Sequence, residues 1–289
     1  EGKYCLFLDG DDFFERDMLK KTFEKAEEDQ ADICLFDARL YNERTKVYKE
    51  IDYIIQKDYL PESIPFKGRS FPYILNITTG CPWNKLIRKS LIDEYQLQFM
   101  PLHRSNDVYF IFMALALAEK ITVVQEVFVN YRQSGSSLQA NNVKSPWDWY
   151  EALKALKLKF EELQIYEELR SSFRNLAFGV GIYNLCSLKS GEAFCKVYER
   201  MKQEFFEEFD LTDFKEEECY SYNSKKYEIY RNMMQCTAGE YLFLEVQKLK
   251  QEKSYWVARA KNAEKENKNK NPKERLSSLA RKAMRKFGR

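Results

Sequence analysis

The feature that most constrains this chain is an apolar run that ends in an acidic turn. Residues 3–8 (KYCLFL) have the composition of a buried strand, and Asp9-Gly10-Asp11-Asp12 follows at once. Buried strands of this kind are typical of α/β sheets, which place their ligand-binding groups at the carboxyl ends of the strands. The chain is therefore predicted to be an α/β protein with a site at this turn.

The apolar pattern then alternates between helical and extended periods. Helices are predicted at 15–29, 88–97 and 107–118, and strands at 31–41 and 121–131. The first of these helices is expected to use Met18, Leu19, Phe23 and Ala26 as its apolar face. Residues 51–80 are punctuated by prolines and are predicted to be irregular.

After Ser145 the pattern becomes helical throughout. Helices are predicted at 146–163, 166–188, 190–209, 225–236 and 240–266. The chain is thus expected to have three parts. They are a partial catalytic domain at 1–140, a helical domain at 141–239, and a long charged helix with a basic tail at 240–289.

The acidic turn itself suggests a chemistry. Three neighbouring carboxylates repel one another and raise one another's pKa values. A hard divalent cation relieves this repulsion and also bridges to phosphate oxygens. The alternative is a polar turn in which Asp12 caps the following helix.

Four segments in order resemble motifs of one enzyme family. GKYCLFLDGDDFFERDML is similar to the aspartate-motif segment of the family 2, GT-A type glycosyltransferases. The other three are Pro82-Trp83-Asn84-Lys85-Leu86 for P-W-x-K-L, Ser105-Asn106-Asp107-Val108-Tyr109-Phe110 for E-D-V-x-F, and Tyr131-Arg132 with Ser136-Ser137 for Y-R…S. The resemblance implies the C-terminal part of a GT-A (Rossmann-like) domain followed by an all-α region, of the type found in bacterial surface-polysaccharide synthesis.

The resemblance also implies a donor site. Asp11 would be the principal ligand of Mn²⁺ or Mg²⁺, which holds the diphosphate of a nucleotide-sugar donor. Asp9 would contribute to the metal site and, with Asp12, to donor binding. Arg132 would contact the diphosphate, and its alternative is an exposed loop arginine.

Asp107 matches the aspartate that acts as general base in inverting members of that family. A carboxylate suits this role because the acceptor hydroxyl of a glycan or lipid-linked substrate must lose its proton as it attacks the sugar. Asn106 departs from the pattern, which usually has Glu there. Trp83 and His103 are predicted acceptor contacts, and the alternative for each is a structural position.

In that family the nucleotide pocket precedes the aspartate motif. We therefore expect about 60–100 residues, or two βα units, to precede Glu1 in a complete enzyme. Residues 1–289 alone are expected to bind donor poorly and to give no turnover. This keeps open a second interpretation, a helical interaction module on a remnant glycosyltransferase fold.

A third interpretation is a haloacid-dehalogenase-like phosphatase, whose strand also ends in Asp-x-Asp. Asp9 would then be the nucleophile and Asp11 the acid/base. Phe13 stands where that family has Thr or Val, and no later Gly-Asp pair supplies its metal ligands. The pattern therefore favours the glycosyltransferase.

The charges divide the chain unevenly. Residues 246–289 hold 15 of the 47 basic and 4 of the 45 acidic residues, so the net charge is +11 there and −9 elsewhere. The segment 272–289 combines these charges with apolar residues at helical spacing, which predicts binding to an anionic membrane surface. No nucleic-acid motif accompanies the charge, so nucleic acid is not an expected partner.

Two further expectations concern assembly and location. A heptad spacing interrupted by Lys253 connects Leu242, Val246, Leu249, Trp256, Ala260 and Ala263, which predicts weak self-association through 240–266. The alternative is packing of this helix on the chain's own body. Seven cysteines without a CxxC pair are typical of reduced thiols. The predicted location is cytoplasmic, peripheral on the inner face of a bacterial plasma membrane.

Overall fold

A computed structural model describes residues 2–133, 145–219 and 226–269, with side chains to residue 262. The chain divides into two compact units, Glu1–Met234 and Gln235–Arg289. The boundary predicted at 140/141 falls inside the first unit and stays a prediction. Segments 134–144 and 272–289, which carry the predicted serine loop and the basic tail, lie outside the described residues.

The described strands form one mixed sheet in the order β1-β5-β3-β6-β2, and β4 pairs with β3 outside this path. The pair β3/β6 is parallel and every other pair is antiparallel. The strands are β1 Tyr4–Cys5, β2 Phe13–Phe14, β3 Ile33–Asn42, β4 Val47–Glu50, β5 Lys85–Arg88 and β6 Ile121–Gln133.

The centre of the sheet is the β3/β6 pair. Its register begins at Ile33 opposite Ile121 and continues to Asn42 opposite Gln133. The apolar start of β3 is completely buried, as a strand covered on both faces requires. The predicted strands at 31–41 and 121–131 are confirmed.

The first predicted strand is much shorter than expected. Only Tyr4–Cys5 pairs, with β5, and both residues are half-buried rather than buried. β1 stands at the end of the described strand order, so it lacks a second neighbour among the described residues. Phe7 nevertheless packs edge-on against Phe99 and Phe110, which anchors the chain just before the acidic turn.

Helices cover the sheet and form the rest of the first unit, at the predicted positions. A π-helical segment, Met201–Phe205, joins α6 to α7. The helices are α1 Met18–Glu28, α2 Lys89–Glu94, α3 Asn106–Leu117, α4 Asp148–Glu162, α5 Tyr166–Cys186, α6 Gly191–Arg200, α7 Phe206–Glu208, α8 Lys226–Gln235 and, in the second unit, α9 Ala238–Asn269.

The apolar face predicted for α1 is only partly correct. Met18 and Ala26 are buried as expected, and Thr22 lies between them because residues four apart share one face. The Thr22 hydroxyl is satisfied by donating to the Met18 carbonyl at 2.7 Å. Leu19 and Phe23 point away from this stripe and are exposed.

The helical region has its own aromatic core. Trp149 and Tyr150 of α4 lie against Phe205 of the π segment, and Phe209 completes this cluster. Gly181 of α5 allows the close approach, because a Cβ there would lie 2.9 Å from the Met201 methyl carbon and 3.0 Å from the Phe205 ring. Among the described helices, none combines the length and low charge needed to span a bilayer.

Candidate functional site

The acidic turn connects β1 to β2 and is held from the far end of β6. The Asp12 amide donates to the Asp9 carbonyl at 3.3 Å, which closes the turn. The Arg132 amide donates to Asp12 Oδ1 at 2.8 Å. β2 pairs with β6 immediately beside it, with Phe13 opposite Asn130. The position of these carboxylates therefore depends on the last strand of the sheet.

The side chain of Arg132 also contacts the turn. Its Nε donates to the Asp11 carbonyl oxygen at 2.7 Å, and Nη1 forms an ion pair with Glu43. The guanidinium also lies 5.2 Å from the centre of the Phe13 ring. Arg132 thus braces the aspartate turn in this structure, and a contact with a donor diphosphate stays a prediction.

The three carboxylates affect one another as the sequence predicts. Desolvation and the Asp11 charge raise the pKa of Asp9. Desolvation, with the charges of Asp11 and Asp9, raises the pKa of Asp12 to about 6, although the hydrogen bond from the Arg132 amide opposes the shift. Ionisation of the carboxylates in this turn is therefore unfavourable, and a bound cation would reduce the unfavourable energy.

The oxygen atoms of the turn are also suitable ligands for a divalent cation. Asp12 Oδ2 is buried and has no hydrogen-bond partner among the described residues, so it is available to a ligand. Carboxylate oxygens are the ligands that Mg²⁺ and Mn²⁺ prefer. Across the described residues, no three His, Cys, Asp or Glu side chains are arranged to hold a metal by themselves. A cation at the turn would thus share its coordination with water or with phosphate oxygens.

Asp107 lies in the first turn of α3. Ser105 before the helix has the left-handed backbone angle φ 53°. Desolvation raises the pKa of Asp107, while its own amide and that of Val108 donate to the carboxylate and oppose the increase. The negative charge of Asp9 raises this pKa further. The aspartate turn and the predicted base are therefore close enough to interact electrostatically.

Lys85 is a site residue to which the sequence reasoning gave no role. It is completely buried, and its Nζ donates to the Cys81 carbonyl at 2.7 Å and to Asn84 Oδ1 at 2.5 Å. Burial lowers the pKa of Lys85 to about 7, and the Asp107 carboxylate opposes this change. The sequence signal that could have identified it is a lysine directly before the buried residues Leu86 and Ile87.

A small residue lets this segment approach the predicted base. A Cβ on Gly80 would lie 3.3 Å from the Phe112 ring and 3.7 Å from a Val108 methyl carbon. The chain before Lys85 therefore packs directly against the first two turns of α3. The same packing carries Cys81 towards the site, where desolvation raises the pKa of its thiol and Asp107 and Asp9 add to the increase.

The two predicted acceptor contacts lie in different surroundings. Trp83 is 3% exposed and stacks on Tyr131, with ring centroids 6.0 Å apart. This burial favours the structural alternative for Trp83. His103 is exposed, in a loop that is anchored where the Arg104 amide donates to Asp148 at 2.9 Å. An acceptor role for either residue stays a prediction.

The comparison with known families agrees with this geometry. Residues 1–96 match the model described as Glycosyl transferase family 2. This segment belongs to glycosyltransferase family 2. The match contains the aspartate turn, Lys85 and Trp83, and the resemblance noted in the sequence is confirmed. The phosphatase interpretation has no support in these comparisons.

Curated proteins that are similar to this chain are named as glycosyltransferases, at low identity. Cholesterol galactosyltransferase of Borreliella burgdorferi is 27% identical over 149 residues, 47% of this chain and 39% of that protein. Poly(ribitol-phosphate) beta-N-acetylglucosaminyltransferase TarS of Staphylococcus aureus is 24% identical over 196 residues, 65% of this chain and 32% of TarS. The chain spans less than half the length of these two relatives.

Solved structures extend the likeness beyond the family 2 segment. Residues 1–349 of S. aureus TarS, determined in complex with UDP-GlcNAc, align with a TM-score of 0.56 and 19% identity. The alignment covers 81% of this chain and 67% of that one. The predicted fold class, an α/β sheet of the GT-A glycosyltransferase type followed by helices, is confirmed.

Proposed function

We propose that the protein is a family 2 glycosyltransferase that moves a sugar from a nucleotide-diphosphate-sugar donor to a hydroxyl of a glycan or lipid-linked acceptor. The observation that carries this proposal is the packing of Phe7, two residues before Asp9, against Phe110, three residues after Asp107, with ring centroids 5.2 Å apart. Two motifs far apart in the chain thereby meet at one site. A donor diphosphate and an acceptor hydroxyl must meet in the same way.

In this proposal Asp11 and Asp9 hold a divalent cation, Mn²⁺ or Mg²⁺, with Asp12 beside them. The unpaired Asp12 oxygen supports this assignment. Such a cation offsets the charge that develops on the leaving diphosphate. The donor of the TarS neighbour, UDP-GlcNAc, contains the diphosphate that such a turn would bind.

Asp107 acts as the general base. It accepts the proton of the acceptor hydroxyl as the oxygen attacks the anomeric carbon, and the diphosphate leaves from the opposite face with inversion. A base must be ionised to act, although it accepts the proton more strongly as its pKa rises. The positive charge that Lys85 carries when protonated lowers the pKa of Asp107 and so favours the ionised form.

Binding and transfer experiments on the complete enzyme, with the nucleotide pocket expected before the acidic turn, test the donor site separately from the chemistry. Calorimetry should detect Mn²⁺-dependent binding of a nucleoside diphosphate, which Asp11→Ala abolishes and Asp107→Asn retains. In a transfer assay both variants should be inactive. Diphosphate binding that is independent of both Mn²⁺ and Asp11 would contradict the donor site and favour the remnant interaction module.

The product tests the stereochemistry. Single displacement with Asp107 as base predicts that the new glycosidic bond has the anomeric configuration opposite to that of the donor. The coupling constant of the anomeric proton in the purified product distinguishes the two configurations. Retention would exclude the assigned role of Asp107.

We also propose that the protein acts in cell-surface polysaccharide synthesis at the cytoplasmic face of a bacterial plasma membrane. The name of the TarS relative and the basic composition of 272–289 support this location. The protein should pellet with vesicles that contain phosphatidylglycerol, and a chain ending at Lys265 should not. Equal pelleting of both chains would exclude an anchoring role for 272–289.

A further inference from the structure

The second unit exposes an unusual amount of apolar side chain on a single helix. α9 has 32 residues and a length of about 48 Å at 1.5 Å per residue. Leu249 is 64% exposed and Trp256 59% exposed, and Leu242 and Val246 are exposed as well. Leaving such residues in water is unfavourable, so a surface of this kind indicates an interaction site.

Four of the eight large apolar residues exposed on the described part of α9 follow the spacing of a two-stranded coiled coil; the other four are Phe243, Leu244, Tyr255 and Val257. Steps of four and three connect Leu242, Val246, Leu249, Lys253 and Trp256. In heptad terms Leu242, Leu249 and Trp256 occupy d positions, while Val246 and Lys253 occupy a positions. A β-branched residue at a with leucine at d favours two parallel strands, and one lysine at an a position selects the register at a cost in stability.

The charges beside this seam fit a second copy of the same helix. In a parallel, in-register pair, a g residue of one helix faces the e residue five positions later in the other. Glu245 is at g and Lys250 is at e, so the pair places opposite charges together twice by symmetry. Residues five apart do not face each other on one helix, so Glu245 and Lys250 do not form this ion pair within a single α9.

We propose that α9 pairs with α9 of a second copy as a parallel, in-register coiled coil through Leu242, Val246, Leu249 and Trp256. The proposal is independent of the glycosyltransferase activity. The seam from Leu242 to Trp256 covers about two heptads, fewer than the three to four that are typical of a stable coiled coil, so the dimer is weak, reversible and dependent on concentration.

Two neighbouring aromatic residues provide a matched test. Trp256 and Tyr255 are each 59% exposed, but Trp256 is at d and Tyr255 is at c, outside the seam. Sedimentation equilibrium of the 289-residue chain should show a monomer–dimer equilibrium. Trp256→Asp should raise the dissociation constant at least tenfold, and Tyr255→Asp should change it less than twofold. Circular dichroism of both variants checks that α9 remains helical.

A charge exchange tests the orientation. Glu245→Lys and Lys250→Glu should each weaken the dimer, and the double variant should restore it, because only a parallel pair places these residues together. Lys248→Ala removes the partner of Glu245 within its own helix, 3.1 Å away, and should leave the dimer unchanged. A monomer at 100 µM, equal effects of Trp256→Asp and Tyr255→Asp, or a double variant no tighter than the single ones would overturn the proposal.

Discussion

The Arg132 amide donates to Asp12 Oδ1 across a sequence separation of 120 residues. One hydrogen bond thus joins the end of β6 to the acidic turn, and the Arg132 side chain adds a second contact at the Asp11 carbonyl. The carboxylates at residues 9–12 are consequently positioned by a residue near the end of the sheet. The first prediction concerns this brace.

Arg132→Ala should weaken Mn²⁺ binding by roughly fivefold, since a hydrogen bond of this kind contributes about 1 kcal/mol to holding the turn. Lys46→Ala is the matched control, because Lys46 pairs with the other oxygen of Glu43 and does not contact the turn. Isothermal calorimetry with MnCl₂ measures both variants. Removal of a positive charge should by itself tighten Mn²⁺ binding, so equal losses in Arg132→Ala and Lys46→Ala would show that Arg132 has no specific bracing role.

The second prediction concerns the ionisation of Asp12. Desolvation raises its pKa to about 6, and the charges of Asp11 and Asp9 add to the increase, so Asp11→Asn should lower it. Mn²⁺ binding should tighten as the pH rises from 5 to 7, because the cation requires the carboxylate. Carbon-detected NMR of the aspartate carboxyl groups follows the titration. An unchanged Asp12 pKa in Asp11→Asn would show that the two carboxylates are not coupled.

The raised pKa of Asp12 also makes the stability of the folded state depend on pH. A carboxyl group whose pKa is raised by folding binds protons more tightly in the folded state, so the folded state loses stability as the pH rises from about 4 to about 6. Asp12→Asn should remove this part of the pH dependence. Urea unfolding at a series of pH values, with the exposed Asp52→Asn as a control, measures the difference.

The third prediction concerns the buried Lys85. Its pKa is lowered to about 7 in the folded state and is near 10.5 when unfolded. The unfolded chain therefore binds the extra proton between these values, and the folded state gains stability as the pH rises, by up to about 1.4 kcal/mol per pH unit. Lys85→Met should lack this gain. A slope that persists in Lys85→Met would have to come from another group.

Lys85→Met has a second readout at the site. Loss of the positive charge beside Asp107 should raise the pKa of Asp107, since Lys85 lowers it in the native protein. In the transfer assay the acidic limb of the pH–rate profile should then move to higher pH. Loss of stability alone would reduce the rate without moving that limb.

The fourth prediction compares two glycines. A Cβ on Gly68 would lie 2.1 Å from the Leu115 carbonyl oxygen and 2.9 Å from that of Ala118, at the end of α3. Gly68→Ala should lower the free energy of unfolding by about 3 kcal/mol, because backbone atoms would have to move. A Cβ on Gly10 would meet no atom within 4 Å. Gly10→Ala should fold normally. A loss of diphosphate binding in this variant would therefore come from contact between the added methyl group and the ligand.

Much of the fold could be predicted from periodicity. The strands β3 and β6 and the helices α1 to α9 lie where apolar spacing places them, because long amphipathic or fully apolar segments have few alternatives. The length of β1 could not be predicted in this way. Whether Leu6 to Leu8 continue a strand depends on a hydrogen-bonding neighbour, and that neighbour is a property of the sheet rather than of the segment.

In the site, too, features that are local in sequence could be predicted and features that depend on tertiary contacts could not. The carboxylates at residues 9–12 are local in sequence and were predicted together, with their mutual pKa effects. The brace from Arg132, the burial of Trp83 against Tyr131 and the lysine beside Asp107 all depend on tertiary contacts. A pattern of residue types contains no distance, so it could suggest a sugar contact for Trp83 but not the aromatic partner that covers it.

The strand order has a consequence for synthesis on the ribosome. β6 is the last described strand in the chain, yet it lies between β3 and β2. Until it emerges, β2 has no strand to pair with and Asp12 lacks the amide of Arg132. At about 5–20 residues per second, translation separates these two parts by several seconds. The nascent chain thus exposes an unbraced acidic turn during that interval, and the turn is completed only late in translation of the sheet.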